Sequence, residues 1–142
     1  PNSILLLVGV GEKEEEVRKQ IHKLGIDEKV KFLGNRSDVN ELYQAMDVFV
    51  MPSFFEGIPV VGVEAQFADL PCVFSDKVPH QVGFKQNIEF LPLSQSAYGW
   101  ADIVLKYKNY KRTLDIELIT NSEFNIEKAY KILEDYYFSF CV

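Results

Sequence analysis

Asp47-Val48-Phe49-Val50-Met51-Pro52-Ser53-Phe54-Phe55-Glu56-Gly57-Ile58-Pro59-Val60-Val61-Gly62-Val63-Glu64 reads as a buried strand, a bend and the start of a helix that carries two carboxylates. Val48 to Met51 is an unbroken apolar run, the pattern of a parallel strand covered on both faces, and Pro52-Ser53 ends it. Gly57 frees the backbone at the bend, and Pro59 suits the first helical turn, where its missing N–H costs nothing. The unpaired amides of that turn carry partial positive charge and favour an anion such as a diphosphate. Glu56 precedes this anion site, and Glu64 follows it near the second helical turn. Carboxylates accept hydrogen bonds from hydroxyls, so a diphosphate flanked by two of them points to a ligand with hydroxyls on both sides, as in a nucleotide sugar. A strand-to-helix turn at the carboxyl end of a buried strand is also where open α/β sheets bind ligands.

Working outward, apolar strands alternate with amphipathic helices, which predicts βαβ units and a Rossmann-like, doubly wound parallel sheet. The expected elements are a buried strand at Ile4–Val8, a helix at Glu12–Leu24 stopped by Gly25, a strand at Val30–Leu33, and a short helix capped by Ser37 or Asp38 that runs through Ala45. After the third strand come a helix at Pro59–Ala68, strands at Pro71–Phe74 and Ile88–Leu91, a helix at Ala97–Tyr107, and a C-terminal helix at about 125–139. Val17, Ile21 and Leu24 form the apolar stripe of the first helix, and Ala129, Ile132, Leu133 and Tyr136 that of the last.

Length and composition fit a single globular domain over residues 1–142, with 47% hydrophobic and 13% aromatic residues. A net charge of −6, from 15 basic and 21 acidic residues, repels polyanions and makes nucleic acid an unsuitable partner. Cys72, in an expected buried strand, and Cys141, near the last turn, are too few for a disulfide framework and lack metal-ligand spacing, which suits a reducing cytoplasm. No stretch approaches the ~18 apolar residues of a membrane span, and no signal peptide opens the sequence.

Other features carry two readings. Gly9-Val10-Gly11 lacks the third glycine of a dinucleotide loop, with Glu14 in its place, and reads as a plain tight turn. Asn35 and Arg36 either present backbone groups and a guanidinium to a nucleobase or build the loop that caps the next helix. His22 lies on an exposed helix face without a catalytic companion. His80 follows the fourth strand, where it faces either a ligand or solvent.

Glu56 and Glu64 stand in the E-x7-E arrangement of the retaining, two-Rossmann-domain (GT-B) glycosyltransferases of group one, or family four, which the chain resembles. The resemblance extends to Val30–Val39, Tyr43–Ser53, Glu64–Gln66 and Leu70–Asp76, in the manner of the bacterial capsule and exopolysaccharide branch, and covers nearly the whole chain. It implies the C-terminal, donor-binding half of a hexosyltransferase that moves a sugar from a UDP- or GDP-type donor to a glycan or lipid-linked acceptor with retention of configuration. No cofactor or metal is implied. Glu56 would meet donor-sugar hydroxyls and act in catalysis, Glu64 would hold the ribose, and the amides of Gly57, Ile58 and Val60 would meet the diphosphate; Ser53, Asn35 and Arg36 join the expected donor site. The N-terminal acceptor domain and the Arg/Lys pair that neutralises the diphosphate are expected upstream of this segment, so the segment alone should be inactive. The implied location is cytoplasmic, with peripheral association of the full-length enzyme at the inner face of the cell membrane. A non-catalytic nucleotide-sugar-binding module and a GT-B nucleotide-sugar epimerase are the alternatives. Two positions depart from the branch: Gly62 where a large aliphatic residue is usual, which should weaken the helix, and Asp69 where glycine usually ends it. The loop Lys77-Val78-Pro79-His80-Gln81 also lacks the branch's acidic residue.

Overall fold

The structure, a computed structural model, describes residues 3–113 and 115–140; Cys141 lies outside them. The fold is a Rossmann-like α/β arrangement of parallel strands and intervening helices. The chain divides into two compact units, Pro1–Val39 and Asn40–Val142.

The first unit is a βαβ element: β1 (Leu5–Val8), α1 (Glu14–Leu24) and β2 (Val30–Gly34), with β1 parallel to β2 and Leu5 opposite Val30. Gly25 ends α1 in the left-handed region at φ 66°, donating its N–H to His22 O at 3.0 Å while Ile26 N donates to Ile21 O at 3.2 Å, the two bonds of a Schellman closure. Ile21 and Val30 are buried. The expected buried strand at Ile4–Val8 is wetter than its pattern predicts, with Leu5 51% exposed, and Leu24 falls outside the buried stripe. Two strands and one helix cover at most one face of the ladder within this unit.

The second unit begins within α2 (Val39–Ala45) and continues through β3 (Phe49–Met51), α3 (Val60–Phe67), β4 (Cys72–Ser75), β5 (Ile88–Leu91), α4 (Ala97–Lys106), α5 (Ile116–Asn121) and α6 (Ile126–Phe138). Its strands pair in parallel in the order β3-β4-β5. β4 is central and every residue in it is buried, whereas β3, at the edge of this ladder, leaves Val50 40% exposed. The strand covered on both faces is therefore β4 and not the Val48–Met51 run: side chains alternate between the two faces, and all four of β4 are buried whereas Val50 of β3 is exposed. Phe74 anchors the core, 5.6 Å from Phe90 and 6.1 Å from Phe49 between ring centroids.

Gly62 in α3 resolves the first departure. A Cβ there would lie 2.8 Å from Phe74 Cε1 and 3.0 Å from Cζ, so the ring occupies the volume that a larger residue at 62 would need. Asp69 resolves the second: it adopts the left-handed conformation at φ 56° and buries its carboxylate in a polar hub. Lys85 Nζ donates to Oδ1 at 2.5 Å and Thr113 N to Oδ2 at 2.6 Å, while the Tyr110 hydroxyl lies 3.2–3.3 Å from both oxygens. Glycine can adopt the same backbone but supplies none of these contacts. Arg112 adds bonds to the carbonyls of Met46 and Ala68, tying the segment after α4 to the ends of α2 and α3.

The apolar stripe expected in α6 forms as a helix but not as a buried face: Ile132, Leu133 and Tyr136 are all exposed. Helical spacing specifies a stripe and leaves open what covers it. The short α5 escaped sequence reading because six residues carry too little periodicity; its cap, Asp115 Oδ1 accepting from Leu118 N at 2.9 Å, is clear in the structure.

Candidate functional site

The segment between β3 and α3 is organised by its backbone. Ser53 O accepts a 2.5 Å hydrogen bond from Ser75 Oγ, pinning the exit of β3 to the end of β4. Glu56 is half-buried, and Gly57 and Ile58 are exposed in a bend. Pro59 sits one position earlier than expected, as the N-cap of α3, with extended angles of φ −73° and ψ 112°. Its carbonyl accepts from Gly62 N at 2.9 Å and Val63 N at 3.3 Å, so the helix proper starts at Val60. The amides of Gly57, Ile58, Val60 and Val61 consequently make no hydrogen bond to any described residue. Four adjacent N–H groups at the positive end of a helix form a site suited to an anion.

Glu64 follows on α3 as an exposed residue, and a contact that sequence reading missed reaches it. The buried Tyr43 of α2 directs its hydroxyl to Val61 O at 3.1 Å and to Glu64 Oε2 at 3.3 Å. Burial, followed by the adjacent Glu64 charge, pushes the Tyr43 phenol well above its ordinary value, so it remains a proton donor. The only signal in the sequence was a tyrosine on the apolar side of a short helix, which a core role explains equally well.

Asn35 and Arg36 belong to the first unit, both exposed after β2. Arg36 makes a bidentate pair with Asp38, at 2.7 Å from Nε and 2.5 Å from Nη2, and holds the Asp38 carboxyl below its usual range. Gly9, at φ 117°, donates to Gly34 O at 2.8 Å, a bridge between the ends of β1 and β2, and Glu14 N donates to Gly11 O at 3.1 Å where the chain turns into α1. His80 opens a 3₁₀ turn (His80–Val82) and stacks on Phe90 with ring centroids 4.0 Å apart. His22 Nδ1 lies 3.2 Å from Asp27 Oδ1 on the surface. Among the described residues no group of three or more His, Cys, Asp or Glu is placed to hold a metal ion, and no helix is long and apolar enough to cross a membrane.

Comparison with known proteins bears on the same segment. EpsF of Bacillus subtilis, provisionally named as a glycosyltransferase, is 41% identical over 97 residues, 68% of this chain and 24% of that protein. An Escherichia coli UDP-Gal:alpha-D-GlcNAc-diphosphoundecaprenol alpha-1,3-galactosyltransferase is 35% identical over 77 residues, 54% of this chain and 20% of its own length. The chain thus spans about a quarter or less of these relatives. The crystal structure of Anabaena HepE in complex with UDP-glucose superposes with a TM-score of 0.67 at 27% identity, covering 77% of this chain and 32% of HepE. The family profile described as glycosyl transferases group 1 matches residues 1–88. That match takes in the whole passage from β1 through α3 and β4, including the bend with its open amides and both glutamates, and it shows that the chain belongs to the group 1 glycosyl transferases.

Proposed function

We propose that this chain is the nucleotide-sugar-binding part of a glycosyltransferase, a hexosyltransferase that takes a UDP- or GDP-type donor and delivers its sugar to a glycan or lipid-linked acceptor with retention of configuration. The observation that carries the reading is the run of unbonded amides at Gly57, Ile58, Val60 and Val61, set between Glu56 and Glu64. A diphosphate placed there accepts from the amides, and the same dipoles stabilise the charge that grows on the leaving nucleoside diphosphate as the glycosidic bond breaks. Glu56, before the amides, accepts hydrogen bonds from donor-sugar hydroxyls; Glu64, after them, accepts from the ribose. Ser53 shapes the entry to the bend. The acceptor is held by a separate domain of the full-length protein, which associates peripherally with the inner face of the cell membrane. HepE, solved with UDP-glucose, and the E. coli relative, named for a UDP-Gal donor and a diphosphoundecaprenol-linked acceptor, support this choice of donor and acceptor class.

The test is calorimetric titration of UDP-glucose, UDP-galactose, GDP-mannose and ADP-glucose into the full-length protein in the presence of a chelator. At least one donor should bind without added metal, and Glu64→Gln should weaken it while leaving the melting temperature unchanged. Absence of binding by all four, or binding that appears only with divalent cations, would contradict the reading.

A further inference from the structure

We infer that Tyr43 is a positioning residue for the nucleotide, its hydroxyl orienting the Glu64 carboxylate so that the remaining acceptor positions of that carboxylate receive the ribose hydroxyls. The inference rests on the ribose role proposed for Glu64. Tyr43 is only 4% exposed and its ring lies edge-on to Phe49 at 6.3 Å, so the phenol has little freedom to move. Its oxygen lies 3.1 Å from Val61 O and 3.3 Å from Glu64 Oε2. A buried hydroxyl needs one acceptor for its single proton, and Val61 O alone would satisfy it. Reaching the carboxylate therefore matters chiefly to Glu64, an exposed side chain that otherwise samples several rotamers. A carboxylate has about four acceptor positions. Tyr43 takes one on Oε2, leaving Oε1 and part of Oε2 for the two hydroxyls of a ribose. Val61 also lies in the first turn of the helix, among the open amides, so Tyr43 touches both the anion-binding turn and the ribose acceptor.

The experiment uses the full-length protein with Tyr43→Phe, Glu64→Gln and the double variant. Each is titrated with UDP, 2′-deoxy-UDP and 3′-deoxy-UDP, and with the corresponding GDP series. Tyr43→Phe keeps the ring and removes only the hydroxyl. It should weaken binding of the better-bound ribonucleotide about threefold to tenfold, affect the deoxy forms less, and so narrow the preference for intact ribose. Glu64→Gln should narrow that preference further, and Tyr43→Phe should add little on top of it. Equal weakening of ribo and deoxy forms by Tyr43→Phe would make Tyr43 a packing residue and overturn the inference. So would an unchanged ribose preference in Tyr43→Phe where Glu64→Gln narrows it. If Glu64→Gln leaves the preference intact, the ribose role of Glu64 fails first, and the inference falls with it.

Discussion

Gly62→Ala sets two effects against each other. Alanine in place of glycine inside a helix stabilises by up to about 1 kcal/mol, so the sequence alone predicts a tighter α3. The structure predicts the reverse, because the new Cβ would meet Phe74 Cε1 at 2.8 Å and Cζ at 3.0 Å. A flexible surface side chain would simply swing away. Phe74 is fully buried, stacked on Phe90 at 5.6 Å and bounded by Phe49 at 6.1 Å, so its ring moves only if other rings move with it. Overpacking of this kind costs about 1–3 kcal/mol. After subtracting the helical gain, the net loss should be about 0–2 kcal/mol, or a fall in Tm of up to roughly 8 °C for a domain of this size. Differential scanning calorimetry with parallel urea denaturation measures it. In a Phe74→Leu background the atoms that clash are gone, and Gly62→Ala should become neutral or mildly stabilising. A rise in Tm for the single variant, or a penalty of the same size in both backgrounds, would refute the steric account.

Asp69→Asn should destabilise by about 3–5 kcal/mol, since it strands the Lys85 ammonium without its counter-charge; the Lys85 side chain is only 5% exposed. Asp69→Asn/Lys85→Met should recover much of that loss in urea denaturation, and failure to recover would place the cost in the contacts of the carboxylate with Tyr110 and Thr113. Burial pushes the Cys72 thiol up to about 12 from its ordinary 9, so the folded state holds a proton that the unfolded chain releases. Stability from this group is complete below pH 9 and lost as pH rises from 9 towards 12, and Cys72→Ala should show a shallower alkaline decline in stability measured from pH 8 to 11. In the full-length enzyme Glu56→Gln should lower kcat and sugar selectivity while the free nucleoside diphosphate binds nearly as before, whereas Glu64→Gln should weaken the nucleoside diphosphate and the nucleotide sugar alike. Equal losses of nucleoside diphosphate affinity in the two variants would remove the basis for placing the diphosphate between them.

The sequence by itself determined the α/β alternation, the ends of β5 and α6, and the turn that brackets the open amides. Each rests on a local signal: an apolar run with its breaker, apolar residues at helical spacing, or a glycine and a proline before a helix. Gly25 was legible as a stop because left-handed closure is a property of one residue. The placement of the two glutamates was legible as well, Glu56 in the bend and Glu64 on α3. What tertiary structure alone decided depends on which distant residues meet. Burial passed from β3 to β4 because the elements packed on a sheet, and not the apolar run itself, set which strand has both faces covered. Gly62 changed from a weak point in a helix to the space that admits Phe74, and Asp69 from a poor substitute for glycine to the acceptor of Lys85, Tyr110 and Thr113. The hydroxyl of Tyr43 became a partner of Glu64 for the same reason. Helix periodicity places a side chain on a face, but only the packing of α2 against α3 brings that hydroxyl within hydrogen-bonding distance of one carboxylate oxygen.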